Sequence, residues 1–244
     1  MARIFITGSA DGLGQLAAKS LLDQGNEVVL HARNAARGRH ARQHAPRAEN
    51  VIIGDLSDLE QTKRVASEVN ASGPFDAVIH NAGVYQASAR DILLVNTLAP
   101  YILTCLITKP GRLIYLSSGM HRNGQANLDG IQLDGGRVSY SDSKLHVVML
   151  CMAVARHWPD VYANAVDPGW VPTRMGGSGA PDDLQKGYET QTWLAASDDS
   201  GAKVSGRYFF HQRESRFNPQ AADVRLQERL LGLCAEITGI TFPA

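Results

Sequence analysis

Residues 3–14 read Arg3-Ile4-Phe5-Ile6-Thr7-Gly8-Ser9-Ala10-Asp11-Gly12-Leu13-Gly14. The apolar run is of strand type, and Gly8, Gly12 and Gly14 follow it at once. Beyond them Leu13, Leu16, Ala17, Ser20 and Leu21 recur at spacings of three and four, the stripe of an amphipathic helix. Glycine permits a tight strand-to-helix turn and lets backbone N–H groups approach a phosphate at the positive end of the helix. Strand, glycine turn and helix in this order open a doubly wound α/β fold. Gly8, Ser9, Asp11, Gly12, Leu13 and Gly14 are therefore the expected phosphate-side residues of a dinucleotide site.

The rest of the chain continues this alternation. Strand-like runs lie at Arg3–Thr7, Glu27–His31, Val51–Gly54, Ala77–His80, Arg112–Ser117, Tyr162–Val166 and Arg207–Phe210. They are continuous rather than alternating, as in strands covered on both faces. Helical patterns between them imply right-handed crossovers. The expectation is one doubly wound (Rossmann) domain over 1–244, a mostly parallel seven-stranded sheet with helices on both faces. Segments near 119–139 and 169–190 follow strand ends and are expected to form substrate loops. Leu226, Leu230, Leu231 and Leu233 predict a closing helix between Pro219 and Gly239.

The chain has 244 residues, 24 basic and 24 acidic side chains and a formal net charge of zero. A neutral chain has no global field for nucleic acid, and no apolar run approaches the roughly 20 residues of a membrane helix. No nucleic-acid or membrane partner is expected. Cys105, Cys151 and Cys234 have no metal-ligand spacing, so no metal site is expected. They read as buried thiols of a reducing, cytoplasmic compartment.

About 20 residues after the glycines, a dinucleotide fold reads the adenosine ribose: an acid suits a 2′-hydroxyl and an Arg suits a 2′-phosphate. Here Leu30-His31-Ala32-Arg33-Asn34 places Ala32 where the acid would stand, with Arg33 beside it and Arg37 and Arg39 following. A guanidinium can grip a phosphate bidentately. The expectation is NADP(H) over NAD(H), with Asp11 as a counter-signal because it adds negative charge to the same pocket. In Gly54-Asp55-Leu56-Ser57, Asp55 could accept from an adenine amino group, while Ser57 or Asp58 could equally cap the next helix. Asn81-Ala82-Gly83 are small residues that let the chain pass close to a cofactor.

Tyr140 and Lys144 are four apart at the start of a predicted helix, so both can face one way. A neighbouring Lys⁺ favours a phenolate and would bring the Tyr pKa toward a useful range. Leu116-Ser117-Ser118-Gly119 puts a hydroxyl at the sheet's carboxyl edge. Asp167-Pro168-Gly169-Trp170-Val171-Pro172-Thr173 forms a turn that could clasp a nicotinamide.

With these motifs in this order, the chain resembles the short-chain dehydrogenase/reductases in their compact single-domain branch, over nearly its whole length. The resemblance rests on Thr7-Gly8 with Gly12 and Gly14, on Asn81-Ala82-Gly83, on Asn96 and Ser118, on Tyr140 with Lys144, and on Pro168-Gly169 with Thr173. It implies Tyr140 as general acid for reduction or base for oxidation, and Ser118 as the hydroxyl that orients the substrate oxygen. It further implies that Lys144 binds the nicotinamide ribose, that Asn96 holds a water through which Lys144 exchanges protons, and that Thr173 binds the carboxamide. The insert between Ser118 and Tyr140, Gln191-Thr192 and the ending Leu233–Ile240 look like the retinol-dehydrogenase and WW-domain-oxidoreductase group. Members acting on lipophilic alcohols often carry an N-terminal anchor; none is expected here, so retinoid specificity is not implied. Pro100 is expected to interrupt the short helical segment after Asn96 and Pro110 to end it, which puts a dimer shared through that helix in doubt.

Tyr85, Met120, His121, Trp170, Met175 and Tyr188 are the expected walls of the substrate site, suiting a small, moderately apolar aldehyde, ketone or alcohol. Arg122, Arg137 and Arg174 are the candidates for gripping a carboxylate. The leading expectation is an NADP(H)-dependent oxidoreductase, a carbonyl reductase or alcohol dehydrogenase. Against it stand a redox sensor or scaffold that binds the dinucleotide without turnover, and a nucleotide-sugar isomerase or dehydratase.

Overall fold

The computed structural model describes residues 1–126, 128–133 and 136–243. Asn127, Asp134 and Gly135 of the expected 119–139 loop lie outside the described residues.

The strands are β1 (Arg3–Ile6), β2 (Glu27–Ala32), β3 (Asn50–Ile53), β4 (Ala77–His80), β5 (Arg112–Leu116), β6 (Tyr162–Asp167), β7 (Arg207–Phe210) and β8 (Arg213–Glu214). They form one sheet in the order β3-β2-β1-β4-β5-β6-β7-β8. All seven expected strands are present and parallel; the eighth is a two-residue antiparallel addition that pairs Phe209 with Glu214. Period-two logic could not find it, because two residues have no period.

Both faces of the sheet are covered, which explains the unbroken apolar runs. Ile4 and Ile6 of β1 pack with Leu21, Ile79, Ile114 and Leu194 on one face. Phe5, between them, packs with Val29, Val78, Leu98 and Val148 on the other. The helices α1 (Gly12–Asp23), α2 (Ala35–His44), α3 (Leu59–Ala71), α4 (Ala89–Ile92), α5 (Ala99–Leu106), α6 (Tyr140–His157), α7 (Leu184–Ala196) and α8 (Val224–Thr238) supply these layers. Their starts are set by side-chain caps. Asp11 accepts from Gly12 N–H, Asn34 from Arg37 N–H and Asp58 from Gln61 N–H, while Ser139 and Asp142 form a reciprocal capping box at α6. The closing helix α8 ends at Gly239, which takes the left-handed conformation at φ 70°.

Pro100 does not interrupt its helix. Residues Leu93–Leu98 form a π-helical segment that joins α4 to α5 without a break. Ala99 N–H reaches back five residues to Leu94 O. The wider turn accommodates the ring and the missing N–H of Pro100, the usual cost of proline inside a helix. Pro110 lies beyond the end of α5. By length and composition the resulting 18-residue stretch Ala89–Leu106 could cross a membrane, unlike the expectation above, but 72% of it is buried inside the protein. Helix α8 packs on α6, and the tail beyond it is fastened by Tyr101 Oη–H to Ile240 O at 2.7 Å and by Trp158 Nε1–H to Pro243 O at 2.9 Å.

The strand order reverses between β1 and β4, so the loops leaving their carboxyl ends diverge and open a crevice.

Candidate active site

The glycine turn occupies the crevice floor. Gly8 has φ +63°, and a Cβ there would lie 2.9 Å from Ala82 Cα. At Gly14 a Cβ would lie 2.6 Å from Gly8 O and 2.4 Å from Asn81 Nδ2. Asn81 Nδ2 donates to Thr7 O at 2.9 Å, and Ala82 N–H donates to Thr7 Oγ1 at 3.0 Å, so the β4 exit is bolted to the turn. Gly14→Ala must push this backbone apart and is expected to cost about 1–3 kcal/mol of stability, measurable as a lowered midpoint of denaturant unfolding.

Electrostatics on the adenosine side differ from the simple reading. Arg37 Nη2 pairs with Asp11 Oδ2 at 2.9 Å, so the counter-signal of Asp11 is neutralised from within the chain. Burial works to raise the Asp11 pKa, but hydrogen bonds from Arg37 and Gly12 outweigh it and hold the carboxyl below its ordinary value. Arg37 is thereby engaged, whereas Arg33 and Arg39 are exposed, and among the described residues Arg33 forms no ion pair. Asp55 Oδ1 accepts from Ser57 N–H at 3.0 Å and Ser57 Oγ–H at 2.8 Å, while Asp58 caps α3; a capping role there leaves Asp55 on the edge. A cleft of about 530 Å³ beside it is lined by Asp55, Ser57, Asp58, Arg90 and Leu133. The Leu56 side chain is buried in the core, so only its backbone could meet a cofactor.

One residue of this region escaped the sequence reading. His31, buried at the end of β2, receives Gly8 N–H on Nδ1 at 3.0 Å and meets Gly54 O with Nε2 at 2.9 Å. A lone histidine in an apolar strand was the signal.

On the other side of the crevice, Asn96, Ser118, Tyr140 and Lys144 converge. Lys144 projects from α6 one turn after Tyr140, is 4% exposed and donates from Nζ to Leu116 O at 2.9 Å. Its Nζ lies 5.6 Å from the centre of the Tyr140 ring. A Cβ on Gly83 would stand 3.2 Å from that Nζ and 3.4 Å from Asn96 Oδ1, so a side chain at Gly83 would crowd both groups. Asn96 sits in the π segment. Its Nδ2 donates to Val84 O and to Ser143 Oγ at 2.9 and 3.0 Å, and its Oδ1 accepts from Val84 N–H at 2.8 Å. The side chain thus clamps the loop after β4. Pro100, four residues on, has no N–H to offer the Asn96 carbonyl.

Burial of the Tyr140 phenol pushes its pKa up to about 12; the Ser118 hydroxyl pulls the other way and the Asp167 charge adds to the rise. The expected lowering by Lys144 is therefore not what dominates in this chain: desolvation is. Burial also brings Lys144 down to about 8. At pH 7 the pair is a neutral phenol beside a mostly protonated ammonium.

The 169–190 segment closes over the turn. Asp167 Oδ1 accepts from Gly169 N–H at 3.0 Å, and Asp182 Oδ2 accepts from Trp170 N–H at 2.6 Å. A Cβ on Gly12 would be 3.9 Å from Thr173, so Thr173 reaches the glycine turn, while Val171, Leu13 and the Pro168 carbonyl crowd the same space beside Gly187. Of the expected substrate walls, Tyr85, Met120, Trp170 and Met175 are exposed apolar side chains. The Tyr85 ring packs edge-on against Tyr140 at 4.8 Å. Two other walls are corrected. His121 is fully buried, donating from Nδ1–H to Ser118 O at 2.7 Å and accepting Asn218 N–H on Nε2 at 3.2 Å, so it braces Ser118 from below. Tyr188 lines a different cleft, with Met1, Ser20, Asn26 and Trp193. Arg122 is bound to Ser215 Oγ and Arg216 O. These three outcomes depended on contacts between segments 93–97 residues apart or on helix orientation, which local pattern does not carry.

A crevice at the strand-order reversal, a glycine turn and a Tyr–Lys pair on one helix define a nucleotide-binding α/β protein of the dehydrogenase type. The family model for short chain dehydrogenase matches residues 2–183, and the chain belongs to that family. It is 44% identical to an oxidoreductase of Emericella nidulans, over 100% of this chain and 99% of that protein. At 26% identity it is similar to retinol dehydrogenase 14 of Homo sapiens, over 97% of this chain and 86% of the relative, in keeping with the group likeness read from the sequence. Among solved structures it resembles a blue fluorescent protein from a metagenomic library in complex with NADPH. That match has a TM-score of 0.71 and 21% identity and covers 85% of this chain and 95% of that one.

Proposed function

We propose that this chain is an NADP(H)-dependent oxidoreductase that exchanges hydride between a nicotinamide and the carbonyl or alcohol carbon of a small, moderately apolar substrate. The observation that carries the reading is the convergence of Ser118, Tyr140, Lys144 and Asn96 on the crevice edge that faces the glycine turn. The cradle fits a dinucleotide: Gly8, Gly12 and Gly14 carry no side chains that could cover the turn's backbone at the start of α1, and a Cβ on Gly83 would crowd Lys144 and Asn96. Gly8, Ser9, Gly12, Leu13 and Gly14 would hold its phosphates, Asp55, Leu56 and Arg33 its adenosine end, and Asn81, Ala82, Gly83, Pro168, Gly169, Val171 and Thr173 its nicotinamide end. Bound NADPH supplies the hydride.

The chain supplies orientation and the proton. Ser118 orients the substrate oxygen, and Tyr140 gives that oxygen its proton. A phenol that is neutral at pH 7 suits carbonyl reduction, where it acts as acid. Lys144, held by Leu116 O, keeps a positive charge near the phenolate that remains and returns a proton to it. The Asn96 carbonyl suits a water on the route by which Lys144 is reprotonated. The exposed Tyr85, Met120, Trp170 and Met175 form an apolar rim for the substrate.

The direct test follows NADPH and NADH consumption over a panel of aldehydes, ketones and quinones. Turnover with NADPH supports the reading; tight binding without turnover on any member would favour a redox sensor. Arg33 carries the cofactor choice, being exposed and, among the described residues, without an ion-pair partner. Arg33→Ala should weaken NADPH binding by about 10–100-fold and NADH binding hardly at all, because one charge-assisted phosphate contact is lost. Equal losses in isothermal titration with the two cofactors would make Arg33 structural.

A further inference from the structure

The stretch Val28-Val29-Leu30-His31-Ala32 carries a single polar residue, and that residue is 2% exposed. A backbone N–H can only donate and a carbonyl can only accept. The 3.0 Å contact from Gly8 N–H to Nδ1 and the 2.9 Å contact from Nε2 to Gly54 O therefore fix one neutral tautomer, with the proton on Nε2. Burial keeps the ring neutral by bringing its pKa down to about 4, against the opposing pull of Gly54 and Asp55. The backbone of the same residue is tied to the same turn. Ser9 N–H donates to His31 O at 3.1 Å, and His31 N–H donates to Ser9 Oγ at 2.9 Å. Phe5 packs edge-on against the ring at 6.4 Å.

We propose that His31 is a positioning residue for the dinucleotide, a rigid bridge that sets the glycine turn after β1 at a fixed distance from the β3 exit at Gly54-Asp55. Those two segments carry the phosphate side and the adenine side of the proposed cleft, so their separation is the dimension that a bound dinucleotide must match. Gly8 has a positive φ and no side chain to hold it by packing. Without an acceptor its N–H is left unpaired, and the turn must be ordered at the moment of binding. A planar ring bonded at both nitrogens meets that cost in advance. The inference rests on reading the glycine turn as a dinucleotide site.

The role differs from that of Arg33 in a measurable way. The bridge acts on parts of the site common to both cofactors, so His31→Leu, which keeps an apolar filler, should raise the dissociation constants of NADPH and NADH by the same factor, about tenfold. Turnover at saturating cofactor should stay within about twofold. His31→Asn offers an acceptor toward Gly8 and should recover most of the lost affinity. Binding by His31→Leu as tight as in the unmodified chain overturns the role. So does His31→Asn binding as weakly as His31→Leu at an equal melting temperature, which would make the effect one of ring packing. Should His31→Leu fail to fold, imidazole ¹⁵N shifts of the unmodified chain decide. A neutral ring protonated on Nε2 supports the bridge, and a ring protonated on Nδ1 excludes it. If the unmodified chain binds neither cofactor, the dinucleotide reading falls first; normal binding that His31→Leu leaves untouched removes only the bridge.

Discussion

Tyr140→Phe is expected to lower carbonyl reduction by about 10²–10⁴-fold, the range for losing a positioned general acid, while NADPH still binds. The substitution removes one oxygen from a ring that stays packed against Tyr85, so the local fold has no reason to change. The phenol is half-buried and sits beside Ser118. Its pKa of about 12 keeps it protonated through neutral pH, ready to donate. Single-turnover oxidation of bound NADPH separates the effect from binding: the binding isotherm should hold and the hydride-transfer rate should collapse. A fully active Tyr140→Phe would assign the proton to another group, and the Ser118 hydroxyl is the nearest named candidate.

The second large effect belongs to Lys144→Met. Turnover is expected to fall by at least about 10²-fold, because the charge that supports the phenolate and the proton supply go together. The same substitution has a signature in stability. Lys144 has its pKa lowered by burial from 10.5 to about 8. Below about pH 8 both folded and unfolded chains carry the proton, and the buried charge is a constant burden. Between about 8 and 10.5 the unfolded chain holds more proton than the folded one, so stability rises with pH across that window, by about 3 kcal/mol for this group. Lys144→Met should lack that rise, so the difference between the two denaturation profiles should grow by about 3 kcal/mol across this window. Turnover in the reductive direction should meanwhile decline as pH passes through about 8, where Lys144 loses its charge. A stability difference that is flat from pH 7 to 11 would mean that the ammonium is better solvated than its 4% exposure implies.

The placement of these two residues beside one another was legible in the sequence, because i, i+4 spacing on a helix puts them on one side. The direction of the Tyr140 pKa was not. Sequence placed a cation nearby and suggested a lowering; burial, which depends on what packs around the ring, decides the opposite. Asp11 and Arg37 tell the same story, since their pairing cancels a charge that counted against a 2′-phosphate. Pro100 looked like a break and is an inserted wide turn, because the helix around it is buried and its neighbours hold it together. His121 and Tyr188 were reasonable walls by position in loops, and both lie elsewhere.

What the sequence by itself determined is the class of fold and the order of its parts. Apolar runs too continuous for one-sided strands require helices on both faces, glycines at Gly8 and Gly14 require close backbone passage, and caps at Asp11, Ser139 and Gly239 start and stop helices where they stand. Those signals are local, and each is set by the conformational limits of a few neighbouring residues. Only the tertiary structure decided which charges meet, which polar groups lose water and which side chains face the crevice. Its own example is His31, an unremarkable letter in a strand until folding sets its two nitrogens between Gly8 and Gly54. Segments far apart in the chain come within 3 Å there, and at that range desolvation and hydrogen bonding, which no spacing rule encodes, set the chemistry.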